Sequence, residues 1–124
     1  MSRKELLALI YEAKTNYDCA NMHAKDSEHY KYTMYRRMAT SILNVLASLD
    51  YKIEVKETYN RELDRCLVMY LVITIDEKRV CIMPTHCKEY DFTKEMYQEI
   101  KALKKQDIKC FSCEYSTLRL YGEW

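Results

Sequence analysis

Residues 65 to 75 read RCLVMYLVITI, and no other stretch of the chain is so continuously apolar. The run is well short of the roughly 20 apolar residues that a membrane-spanning helix needs. Val68, Tyr70, Val72, Ile73, Thr74 and Ile75 are β-branched or aromatic, which favours a strand over a helix. A strand apolar on both faces is a central strand that must be covered on each side. The amphipathic helices elsewhere in the chain are the expected covers.

Working outward, the chain before this strand has helical periodicity. Ser2 followed by Glu5 fits a capping box, and Leu6, Ile10, Ala13, Tyr17, Ala20 and Ala24 recur at helical spacing, predicting a helix over about 3–24. Asp26 and Ser27 mark a turn and a helix start. A second helix over about 28–49 is predicted to turn Tyr35, Met38, Ile42, Val45 and Leu49 inward, forming an antiparallel hairpin with the first.

The period changes at Asp50. Tyr51, Ile53 and Val55 alternate with Lys52, Glu54 and Lys56, as in a strand with one buried and one wet face. Asn60-Arg61 is the expected turn into the central strand, and Asp76 to Lys78 turns the chain again into a strand at Arg79 to Met83, ended by Pro84. After a loop at 85–92, a third helix begins near Asp91 or Thr93, carries Met96, Tyr97, Ile100 and Leu103 inward, and ends in Lys101, Lys104 and Lys105. Alternation from Ile108 to Trp124 predicts one long strand or a hairpin. The expected fold is a single α+β domain over 1–124: an N-terminal helical hairpin plus one further helix packed on a mainly antiparallel sheet, in the order α-α-β-β-β-α-β-β.

Composition removes several function classes. The 124 residues include one Gly and one Pro, so the chain lacks the glycines with which phosphate-cradling loops approach a nucleotide. Acids and bases are mixed along the chain and the net charge is +1, which argues against a strongly basic nucleic-acid binder and against an acidic DNA mimic. Met1 leads into Ser2-Arg3-Lys4-Glu5 with no apolar signal region, so the six cysteines are expected as reduced thiols in a cytoplasmic protein, with no membrane association.

Three constellations could carry function. Cys110 and Cys113 form a C-x2-C pair and, with Cys81 and His86 upstream (Cys87 is adjacent), supply enough ligands for tetrahedral zinc. The pair lacks a glycine-containing knuckle and its flanks alternate like a strand, so buried thiols are the preferred reading, with no metal and no cofactor. A thioredoxin-like role is disfavoured because a strand pattern, not a helix, follows the pair. A nucleophilic cysteine with His23, His29 or His86 as base has no sequence signature, and no enzymatic chemistry is expected.

The second constellation is the segment 29–37. Tyr30, Lys31, Tyr32, Arg36 and Arg37, extended by Lys104 and Lys105 at a helix end, could stack on bases and neutralise phosphates, giving a nucleic-acid-binding accessory protein as the alternative reading. The third is the surplus of tyrosine, twelve against two phenylalanines. Tyrosine is enriched at protein interfaces, and Tyr115, Tyr121 and Trp124 on the C-terminal strand are the preferred contacts for a protein partner. In length and composition the chain resembles the small orphan proteins of phages and mobile elements, among them inhibitors of bacterial defence systems such as anti-CRISPR proteins. That resemblance covers no particular residues. It implies a protein that acts by occupying another macromolecule's surface.

Overall fold

The computed structural model describes residues 1–83 and 93–112. Helix α1 (Arg3–Met22) continues through a short 3-10 turn (His23–Lys25), and helix α2 (Tyr30–Ser48) returns alongside it. Strands β1 (Ile53–Asn60), β2 (Arg65–Ile75) and β3 (Lys78–Met83) follow, then helix α3 (Thr93–Lys105) and strand β4 (Lys109–Ser112). The sheet order is β1-β2-β3-β4. The first two pairings are antiparallel, and β4 joins β3 in parallel because α3 supplies the crossover that a parallel pair requires. The fold is α+β, with Arg65–Ile75 an interior strand, as the apolar run requires. Residues 113–124, where a closing strand is expected, lie outside the described residues.

The helices cover both faces of β2. Leu71, Ile73 and Ile75, with Val80 and Ile82 of β3, join Leu6, Leu7, Ile10, Ala13 and Tyr17 of α1 and Ala39, Leu43 and Leu46 of α2 in one buried cluster. The alternate residues Tyr70, Val72 and Cys81 belong to a second cluster that holds Leu103 of α3, Ile108 and, from the turn end of the hairpin, Ala20, Ala24 and Tyr32. Adjacent strand residues point to opposite faces, so the body of the helical hairpin and α3 cover opposite faces of the sheet, while the turn end of the hairpin reaches the α3 cluster.

A bulge breaks the alternation of β2. Lys56 pairs with Tyr70 but Glu57 pairs with Val68, leaving Met69 as the extra residue. Val68 therefore reaches the same cluster as Leu71, although they are three positions apart and a regular strand would turn them to opposite faces. Asn21 of α1 secures this point. Its carboxamide donates to the Val68 carbonyl (2.9 Å) and accepts from the Val68 N–H (3.1 Å), as a neighbouring strand would.

The Ser2 hydroxyl accepts from the Glu5 N–H (3.1 Å), the expected cap of α1. The start of α2 departs from expectation. Asp26 turns back to His23 (2.8 Å), and α2 begins at Tyr30 with no side-chain cap on its N-cap residue, His29. With a single glycine available, left-handed backbone at turns falls to acidic residues: Asp50, Asp64, Asp76, Glu77 and Asp107 all have positive φ. Asp76 and Glu77 are the two central residues of the β2–β3 hairpin, whose flanking pair is Ile75 and Lys78.

The orientation of α2 corrects the sequence reading. The core takes Tyr32, Ala39, Leu43 and Leu46, while Met38, Val45 and Leu49, expected inside, are exposed. Both sets recur at helical spacing, but only the first carries an alanine. Ala39, like Ala13 and Ala20 of α1, has no solvent exposure. Small side chains at a helix crossing allow close approach, and that selects the inner stripe.

Candidate interaction surface

The segment 29–37 is divided by the helix into residues that hold the fold and residues that face water. Tyr32 is buried, and its hydroxyl donates to the Cys66 carbonyl of β2 (2.7 Å). The Arg36 guanidinium lies over the rings of Tyr17 (5.9 Å) and Tyr32 (5.5 Å) and forms an ion pair with Glu57 of β1. Arg65 approaches Tyr32 at 5.2 Å and donates to the carbonyls of His23 (3.2 Å) and Ala24 (2.7 Å), neutralising the negative end of α1 and its 3-10 turn. Tyr32 and Arg36 are thus committed to joining α2 to the sheet.

The electrostatics follow this packing. Burial pushes the Tyr32 phenol above its ordinary value, opposed by the nearby Arg36 charge. Burial works to lower the pKa of Arg36, but the hydrogen bond and charge of Glu57 outweigh it and the guanidinium is held more firmly protonated. Its Nη1 is shielded from solvent with no hydrogen-bond partner among the described residues. Lys14 of α1 is fully buried and donates to Asp18 (2.5 Å), a pair whose rupture would leave an uncompensated charge.

Tyr30, Lys31 and Arg37 remain exposed. A groove of about 470 Å³ runs along this side of α2 past Tyr32, Thr33, Arg36, Arg37, Thr40 and Ser41. Lys104 and Lys105 are exposed at the end of α3. On the α3 side, Glu99 accepts from the Tyr70 hydroxyl (3.0 Å) and lies 3.7 Å from Lys56.

The described tyrosines are largely explained by structure. Tyr17 shares a hydrogen bond with Thr40 (3.1 Å), Tyr32 bonds β2 and Tyr70 bonds α3, so three phenols each tie one layer or helix to the next. Tyr35 stacks on His23 with centroids 5.6 Å apart. Tyr59 is exposed and donates to Asp64, a bond that raises its pKa. The larger apolar surface is aliphatic instead. Met38 (46% exposed), Val45 (54%) and Leu49 (50%) lie on one stripe of α2, with Ile42 half-buried between them. A spacing of four, three and four residues is that of a helix seam made for another surface. Their helical spacing alone predicts them in the core, because periodicity does not distinguish the two apolar stripes of α2. The partner contacts expected at Tyr115, Tyr121 and Trp124 lie outside the described residues.

Of the zinc alternative, Cys81 is buried and its register partner across β3–β4 is Cys110, while His86 and Cys113 lie outside the described residues. Among the described residues no group of three or more His, Cys, Asp and Glu could hold a metal ion. His23 is oriented by Asp26, as a catalytic base would be, but Cys19 one turn before it is poorly suited as nucleophile. Burial, and then the Asp18 charge, push its thiol above the ordinary value, away from the reactive thiolate.

Searches against protein-family models, characterised proteins and solved structures return no match. Among the described residues no helix is long and apolar enough to cross a membrane.

Proposed function

We propose that this chain is a non-enzymatic binding protein that acts by surface complementarity on another protein, with the outer stripe of α2 as a contact. The observation that carries the reading is the exposure of Met38, Val45 and Leu49 at helical spacing on a helix whose other apolar stripe already fills the core. An apolar stripe of this kind fits a hydrophobic groove or a second helix on the partner, and methionine adapts to an irregular surface. The general profile, small and without a catalytic motif, supports a protein that inhibits its partner by covering it.

A pull-down from the host, with and without nuclease, tests the proposal. The expected result is a protein partner retained after nuclease and lost with the double variant V45K/L49K, whose circular dichroism and urea midpoint match the parent. A partner released by nuclease, with direct nucleic-acid binding that weakens steeply as salt rises, would replace this reading with the nucleic-acid one. Retention of the protein partner by V45K/L49K would remove α2 from the interface.

A further inference from the structure

We infer that two copies of this chain associate through the outer edges of their β1 strands, antiparallel about a twofold axis at Val55, to make one continuous sheet. The inference starts from the sheet order. β1 is a terminal strand, eight residues long, with no Pro or Gly, and among the described residues no strand pairs with its outer edge. Such an edge is a template for another strand.

Main-chain alternation fixes which residues face outward. The Thr74 N–H donates to the Lys52 carbonyl (3.1 Å), so Lys52 turns its main chain toward β2. Antiparallel pairs alternate between bonded and non-bonded positions, so Glu54 and Lys56 also turn toward β2 while Ile53, Val55 and Glu57 turn outward. The bulge does not disturb this pattern, because its extra residue is on β2. The position opposite Glu57 agrees: Val68 gives both main-chain groups to Asn21.

Charge then selects one register. In a twofold antiparallel pairing one residue lies opposite itself, and opposed residues share a face. Centring on Glu54, Lys56 or Glu57 sets a like charge against itself, which is destabilising. Centring on Val55 avoids this and, unlike centring on Ile53, Thr58 or Tyr59, opposes unlike charges that both lie within β1. It places Val55 against Val55, and Glu54 of each copy against Lys56 of the other, with Tyr51 opposite Tyr59. Glu54 and Lys56 already lie in ion pairs, with Arg79 (2.9 Å) and Glu99 (3.7 Å). In the pair these become a chain of alternating charge, Arg79–Glu54 of one copy and Lys56–Glu99 of the second. Val55 (38% exposed) and Tyr59 (55%) are the side chains along this strand with apolar surface left to cover.

Sedimentation equilibrium on the full chain, at concentrations reaching the high micromolar, tests the inference. The expected result is a reversible monomer–dimer equilibrium. Val55→Pro, which removes an outward-facing donor that β2 does not use, should abolish it while leaving the circular dichroism spectrum unchanged. If that variant unfolds, charge reversal decides. Lys56→Glu should weaken association about tenfold or more by setting two carboxylates opposite each other on both sides of the axis, and the exchange E54K/K56E should restore it. Val55→Cys places the two α-carbons about 5.5 Å apart, within disulfide reach, so mild oxidation should give a covalent dimer whose cross-link maps to position 55 in both chains. A wild type that stays monomeric throughout would overturn the inference. So would a dimer indifferent to Lys56→Glu, or one abolished instead by V45K/L49K, which would place the interface on α2.

Discussion

The two apolar stripes of α2 are built from similar residues at the same spacing and have opposite fates. Tyr32, Ala39, Leu43 and Leu46 are in the core, whereas Met38, Val45 and Leu49 are in water. The difference teaches that helical periodicity announces an apolar face without saying what covers it. What separates them is the partner side: α1 offers Ala13, Ala20 and Tyr17 to one stripe and nothing comparable to the other. A stripe with no internal partner is the part of such a helix available for function.

The sharpest way to break the comparison is truncation on each side. Leu46→Ala should cost about 2–5 kcal/mol in urea denaturation, since a fully buried leucine leaves a cavity, while Leu49→Ala should change stability by no more than about 0.5 kcal/mol. Equal effects would mean that the outer stripe is also packed. Next in size is the polar part of the inner contact. Asn21→Leu should cost about 2 kcal/mol or more by leaving both main-chain groups of Val68 without their buried partner. Hydrogen exchange at the Val68 amide should rise with it, and an unchanged rate would show that the clamp is dispensable.

Tyr32 gives a smaller effect with a pH signature. Its phenol titrates higher folded than unfolded, so its contribution is complete below the unfolded pKa of about 10 and is lost as pH rises through the folded value. Stability should fall above about pH 10, and Tyr32→Phe should reduce that alkaline loss while costing about 1 kcal/mol at neutral pH. An identical alkaline profile in the variant would assign the loss to other groups. The smallest effect has the opposite sign. Glu77→Gly should stabilise by about 0.5 kcal/mol, because relief of the left-handed Cβ penalty outweighs the extra chain entropy that glycine loses on folding, and a destabilised variant would show that Glu77 makes contacts beyond its backbone role.

Much of the fold was legible because its signals are local. The apolar run predicted β2 with its observed limits, the change of period at Asp50 announced β1, and Thr93 and Lys105 bound α3 as expected. What escaped depends on information outside each segment. The bulge at Met69 is set by Asn21, forty-seven residues distant from Val68 in sequence. The burial of Lys14 rests on Asp18 and on the helix face that the core selected. The tyrosine surplus pointed toward an interface, yet Tyr17, Tyr32 and Tyr70 use their hydroxyls to join elements within the chain. The candidate contact on α2 is visible in the sequence as a pattern but not as a surface, because only tertiary packing distinguishes two stripes of one helix.

The five acidic residues with positive φ also bear on how the fold could change over evolutionary time. Each sits where the chain reverses, and each could be exchanged for asparagine or glycine with the backbone unchanged, whereas valine, isoleucine or threonine would strain it. Substitution there is therefore channelled into a narrow alphabet while the surrounding surface drifts freely. A diverged descendant of this protein should be recognisable less by its core, where many aliphatic exchanges are equivalent, than by Asp, Asn or Gly recurring at positions 50, 64, 76, 77 and 107.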